Sequence, residues 1–147
     1  KGNHMKSVVE DIKKGSFKPV YLFYGEEAYL KQQYKNRLKN AVLPEGDTIN
    51  LSIYSGKGID VKEMIAQADT MPFFAEHRLL LIEDSGFFKT SSEALADYLP
   101  MIPDTTCIVF VEDAVDKRNR LFKKVKELGH AAEMKVWLSL RHRTNRR

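Results

Sequence analysis

The chain has 147 residues, 24 Lys and Arg against 20 Asp and Glu, and one cysteine. That length suits one domain with its own core. A single cysteine excludes a disulfide scaffold or a cysteine-clustered zinc site, and no apolar run approaches the roughly 18 residues a bilayer span needs.

The net charge of +4 is local. Arg141, Arg143, Arg146 and Arg147 supply four positive charges, and removing them from the 24 basic groups leaves 20, equal to the acidic count. The basic balance belongs to a tail and weakens a generic electrostatic case for nucleic acid. Lys1-Gly2-Asn3-His4-Met5 lacks the apolar stretch of a signal peptide, so the expectation is a soluble intracellular protein. Residues 1–4 resemble a cloning scar ahead of Met5. Trp137 to Arg147 shows no capped, periodic pattern, so residues 135–147 read as a tail, truncated or vector-derived. The domain is expected over residues 5–134.

Val20-Tyr21-Leu22-Phe23-Tyr24, between Pro19 and Gly25, reads as a buried strand. Leu30, Tyr34, Leu38 and Ala41 recur at helical spacing until Pro44 and Gly46. Ile49, Leu51 and Ile53 alternate with polar residues, as in a half-exposed strand. Asp60 can cap a helix carrying Val61, Met64, Ile65 and Ala68, with Glu63 at capping-box spacing, and Pro72 blocks its continuation.

Leu79-Leu80-Leu81-Ile82 is another buried strand, ended by Glu83-Asp84. Ser91 or Ser92 opens a short helix with Leu95 and Leu99, stopped by Pro100 and Pro103. Cys107 to Val111 is a fourth strand, ended by Glu112-Asp113. Asp116 caps a basic helix with Leu121, Phe122, Val125 and Leu128, closed by Gly129. Ala131 to Met134 is read as a fifth strand. Apolar strands alternating with helices predict an α/β fold of three layers, a mostly parallel five-stranded sheet covered on both faces. Ligands in such folds sit beyond the carboxyl ends of the strands.

The turn after Tyr24 is therefore the first candidate site. A phosphate loop needs a second glycine, a lysine and a hydroxyl at fixed spacing. Here Gly25 is followed by Leu30, Lys31 and Gln32 in the frame where Gly-Lys-Ser/Thr should stand. Lys31 falls at the right place, but the glycine and the magnesium-holding hydroxyl are missing. Glu26 and Glu27 place negative charge at a helix start that would otherwise face phosphate. The turn reads as a strand–turn–helix with the shape and without the chemistry.

The acidic pairs Glu83-Asp84 and Glu112-Asp113 are read as solvated strand ends. His77 and His130 have no partner at metal or triad spacing, and Cys107 reads as a small buried hydrophobe. No catalytic constellation, metal site or cofactor is assigned.

Gln67 to Ala75 is the most unusual stretch. After the helix stops, Met71 and Pro72 lead into Phe73-Phe74 in a connection. Aromatic residues at loop bases commonly pack under a domain, so the residues alone lean toward burial; the alternative is an exposed anchor for a pocket on a partner.

Three stretches together resemble the N-terminal domain of the bacterial DNA polymerase III delta subunit family. They are Pro19 to Glu27 with Tyr29-Leu30; the Phe73-Phe74 region with Arg78 to Ile82; and Thr106 to Val111 followed by Asp116-Lys117-Arg118. They run in family order over about 130 residues. The resemblance implies a RecA-like AAA+ domain with a degenerate phosphate loop, in a loader subunit that opens the beta sliding clamp for loading onto primed DNA and hydrolyses no ATP itself.

The resemblance further implies that Phe73 and Phe74 plug a pocket on the clamp, with Met71 and Pro72 shaping the approach. The family commonly carries an aliphatic residue before the aromatic one, so Phe73 departs mildly from it. Implied partners are the clamp, the gamma/tau and delta-prime loader subunits, and primer–template DNA reached through the assembled loader. The implied location is the bacterial cytoplasm, with no membrane contact. Family members continue into a lid and a collar domain, so the chain is expected to be an isolated first domain.

Two rival readings follow from residues alone. Lys117, Arg118, Arg120, Lys123, Lys124 and Lys126 could form the outer face of a nucleic-acid-binding helix, with Lys123 and Lys124 as candidate DNA contacts. The other is a working nucleotide-binding enzyme built on Lys31.

Overall fold

The computed structural model describes residues 3–135. The expectations for residues 1–2 and 136–147 lie outside the described residues. The chain forms helix α1 (Asn3–Lys14), strand β1 (Val20–Tyr24), α2 (Ala28–Val42), β2 (Leu51–Ser55), α3 (Val61–Ala68), β3 (Arg78–Glu83), α4 (Phe87–Thr90) and α5 (Glu93–Tyr98). A 3-10 turn (Leu99–Met101), β4 (Thr106–Glu112), α6 (Arg120–Leu128) and β5 (His130–Glu133) complete it.

The five strands form one sheet in the order β2-β3-β4-β1-β5, and every pairing is parallel. The sequence reading allowed a mixed sheet; among the described residues it is wholly parallel. The reason is connectivity: each step between successive strands carries a helix, and parallel neighbours require such crossovers. From β1 the chain steps outward to β2, then returns through β3 and β4 and passes β1 to reach β5. Right-handed crossovers place the outward connection on one face and the returning ones on the other. Accordingly α2, joined by α1, covers one face through Val8, Leu30, Tyr34 and Leu38. The other face is covered by α3 to α6 through Met64, Phe88, Leu95, Phe122 and Val125.

The central strands supply alternate residues to the two cores. Leu22, Leu80, Ile108 and Phe110 face one way, and Tyr21, Phe23, Leu79 and Val109 the other. All are fully or almost fully buried, which is why these strands read as unbroken apolar runs.

The structure corrects several local expectations. Helix α1 was given no element; its Val8 is fully buried, with Met5, Val9 and Ile12 packed against the same core. Helix α4 was also missed, being one turn entered through the left-handed Gly86. Ser92, not Ser91, caps α5 by accepting from the Leu95 amide. Asp116 does not cap α6: its carboxylate takes the Arg118 amide and guanidinium, and the side chain of Asn119 accepts from the amides of Leu121 and Phe122. The helix therefore starts at Arg120, and Lys117 and Arg118 lie in the preceding loop. Gly129 closes α6 in extended backbone. What demands glycine there is proximity, since a Cβ would lie 1.7 Å from the Val20 carbonyl oxygen.

Candidate partner-binding site

At the carboxyl end of the sheet, the turn after β1 is filled by the chain itself. Gly25 donates to the Asp113 carbonyl at 2.7 Å, and Met134, just past β5, donates to the Tyr24 carbonyl at 2.6 Å. The Met134 carbonyl in turn accepts from the Glu27 amide at 3.2 Å, and a Cβ on Gly25 would lie 2.5 Å from that same oxygen. The Glu27 carboxylate accepts from the Tyr29 amide and caps α2. The helix start that would cup an anion is thus satisfied internally.

Lys31 is turned inward. It is only 5% exposed, and its ammonium donates to the Glu112 carbonyl and the Asp113 carboxylate, each at 3.0 Å. Leu30 is fully buried under the sheet. Gln32 donates to Glu83 at 3.3 Å, and Lys35 reaches the same carboxylate at 2.8 Å.

Of the strand-end acids read as solvated, Asp84 and Asp113 are exposed, Glu83 is half-buried, and Glu112 is not solvated. Glu112 is buried and accepts from the Ser85 amide and hydroxyl and from the Gly86 amide. Burial pushes its carboxyl above the ordinary glutamate range, against the pull of those donors. Glu112 thereby ties the end of β4 to the segment after β3, while Glu83 and Asp113 bond to side chains of α2. Among the described residues no group of His, Cys, Asp and Glu is placed to hold a metal. Cys107 is buried and unpaired, with its thiol pushed up by burial.

The Phe pair has the opposite character. Phe73 is 58% exposed and Phe74 94%, with Met71 at 64% and Pro72 half-buried. The lean toward burial was therefore wrong. The two rings meet edge to face with centroids 4.5 Å apart. They form one protruding apolar feature instead of two loose side chains. Phe74 has φ of 52°, in the left-handed region that bulky L residues avoid. Ile49, 65% exposed, lies beside the loop's anchor in sequence.

The loop is held from both sides. Asn50, 2% exposed, accepts from the Phe73 amide at 2.7 Å and donates to the Phe73 carbonyl at 3.0 Å. Asp47 accepts from the Asn50 side-chain amide at 2.8 Å and from the backbone amides of Ile49 and Asn50 at 3.0 Å. Those bonds hold its carboxyl below the usual aspartate range.

On the other side, α3 ends without a glycine, and side chains take up its last carbonyls. Arg78 donates to the Gln67 carbonyl at 2.9 Å and to the Gln67 side chain at 2.8 Å, and the Thr106 hydroxyl donates to the Ala68 carbonyl at 2.7 Å. Tyr98 donates to the Asp69 carboxylate. Sequence reasoning missed Asp47, Asn50 and Gln67, because polar residues beside a strand or at a helix end read as solvent-facing.

The basic face of α6 is largely neutralised. Arg120 pairs with Glu93 and Asp97 at 2.6 and 2.7 Å, and Arg118 pairs with Asp116. Lys124 lies 3.6 Å from Glu127, and Lys117 lies 3.9 Å from Glu133. Lys123 is exposed, and Lys126 lies over the Phe122 ring.

The family profile for the DNA polymerase III delta subunit matches residues 21–135, from β1 through the end of β5. The chain belongs to the DNA polymerase III delta subunit family. A curated relative, DNA polymerase III subunit delta of Bacillus subtilis, is 29% identical over 140 residues. The match covers 87% of this chain and 40% of the relative, so the chain spans less than half that protein's length.

Among solved structures, the Bacillus subtilis DNA clamp loader delta protein superposes with a TM-score of 0.77 at 30% identity. That match covers 88% of this chain and 42% of that one. A gamma subunit-related protein of DNA polymerase III from Thermotoga maritima gives a TM-score of 0.61 at 12% identity, over 90% of this chain and 46% of that one; that likeness concerns the fold. The α/β architecture with a parallel five-stranded sheet covered on both faces, expected from the sequence, is the one observed, and the family is one of replication clamp-loader subunits. No helix of the described residues is long and apolar enough to cross a membrane.

Proposed function

We propose that this chain docks on a beta sliding clamp through Phe74 and Phe73, with Met71 and Pro72 shaping the contact, and helps open the ring for loading onto primed DNA. The observation that carries the reading is the display of two adjacent phenylalanines, 58% and 94% exposed, on a domain whose other aromatic residues are mostly buried. Fully burying one such ring in a partner pocket is worth about 1.5–3 kcal/mol, and rigid aromatic side chains are the usual centres of binding energy. Ring opening would follow if the pocket accepts the pair better in the open, strained interface, since a ligand shifts an equilibrium only by its differential affinity.

In this reading the chain makes and breaks no bond. ATP hydrolysis belongs to neighbouring motor subunits, and the gamma/tau and delta-prime subunits join through parts of the protein beyond this domain. The internal satisfaction of the turn after β1 and the inward Lys31 argue against the nucleotide-enzyme alternative. The nucleic-acid alternative is the weaker one because four of the six basic residues at α6 lie beside carboxylates. That leaves Lys123, with Lys124 next to it, as a minor phosphate contact within the assembled loader.

The test is calorimetric titration of the chain into a beta clamp, beside a Phe73→Ala/Phe74→Ala variant with unchanged melting. The variant is expected to lose about 2 kcal/mol or more of binding. Equal binding by both proteins would remove the Phe pair from the interface.

A further inference from the structure

The Phe pair stands on a loop, and nothing in the sequence of that loop would keep it in one shape. Pro72 fixes a single φ, while Phe74 occupies a left-handed conformation that its own side chain disfavours. Two large apolar side chains on a mobile loop would also collapse onto nearby surface, and the ordering needed to display them would be subtracted from any binding energy. Something outside the loop must hold it.

The structure assigns that role to Asn50. Its side-chain amide makes both hydrogen bonds that the Phe73 peptide groups can offer, as an adjacent strand would. It reaches them from the entry to β2, 23 residues earlier in the chain. At 2% exposure Asn50 has no water to fall back on, so releasing Phe73 would leave a buried amide unsatisfied. Asp47 fixes which way the amide faces: its carboxylate can only accept, so it selects the NH₂ side of Asn50 and leaves the carbonyl side for the Phe73 amide.

Holding one residue's amide and carbonyl together restrains the backbone on both sides of it. The Phe73 ring is thereby aimed, and the Phe74 turn follows directly from the restrained peptide. Asn50 is a positioning residue: it acts on a partner only through the two rings, and Asp47 acts through Asn50. The inference rests on the reading of the Phe pair as the clamp contact, and it adds that affinity depends on a preformed loop.

The test is a double-mutant cycle on clamp binding. Asn50→Ala is expected to weaken binding about five- to tenfold, and Asp47→Ala in the same direction by less. In a Phe74→Ala background both effects should shrink toward none, because there is little left to aim. Hydrogen exchange at the Phe73 amide should quicken in both variants without any partner present. Asp47 lies at the surface, so its variant keeps the test open if Asn50→Ala folds poorly.

Unchanged affinity despite faster exchange would overturn the inference, as would an undiminished loss in the Phe74→Ala background. If Phe73→Ala/Phe74→Ala binds the clamp like the wild type, the underlying reading fails instead, and the exchange data still report whether Asn50 restrains the loop.

Discussion

Phe74 combines two costs in one residue. Its side chain is almost wholly in water, and its backbone is in a region where an L residue loses roughly 1–2 kcal/mol. Neither cost serves the isolated fold. Phe74→Ala and Phe74→Asn both delete the ring contact with Phe73, but asparagine tolerates the left-handed conformation and alanine does not. Urea denaturation should therefore find Phe74→Asn about 0.5–1 kcal/mol more stable than Phe74→Ala. Equal stabilities would mean that the backbone relaxes once the ring is gone.

At this scale the sequence was least legible. Asn50 and Asn119 look like ordinary surface polar residues, yet both are buried and bonded to backbone. Only a three-dimensional neighbour could reveal that. The exposure of the Phe pair was likewise invisible to residue propensity, which favours burial, and only the family resemblance pointed the other way.

At the scale of elements, the apolar strands and the stripe of α2 were legible because burial on both faces leaves no room for polar residues. Helix α1 also carries a legible helical stripe, Met5, Val8, Val9 and Ile12, to which the sequence reading assigned no element. The start of α6 was ambiguous in principle: Asp116 and Asn119 are both competent caps, and the choice was made by the packing of Asn119 against the Phe87 carbonyl.

Helix α2 carries the residue that separates shape from chemistry. Lys31 holds a buried carbonyl of β4, while its ion pair with the exposed Asp113 adds little. Lys31→Ala should destabilise the domain by about 1.5–3 kcal/mol, chiefly through the lost bond to that carbonyl and the lost packing of the stem. Magnesium-ATP at millimolar concentration should leave the wild-type melting temperature unchanged. A nucleotide-dependent rise that Lys31→Ala abolishes would restore the nucleotide-binding alternative.

For the whole molecule, stability is linked to pH through Glu112. The folded protein holds a proton on this carboxyl more tightly than the unfolded chain does, because burial disfavours the charge. Its contribution is therefore favourable at low pH and declines as pH rises from the ordinary glutamate value of 4.5 through the raised one. Glu112→Gln does not titrate, so wild-type stability relative to this variant should fall across that interval. A flat difference would show that the Ser85 and Gly86 donors balance the burial. The variant's absolute stability is a separate matter, since its amide repels the Gly86 N–H.

The turn after β1 is occupied from within the chain. Met134 fills the space beside Gly25 with backbone atoms and is bonded on both sides to Tyr24 and Glu27. An incoming anion would compete with a segment tethered in the same chain, present at high effective concentration and never diluted. The seat behaves like a receptor with its antagonist covalently attached. A seat filled in this way gives a nucleotide little purchase on the shape of the domain that carries the Phe pair.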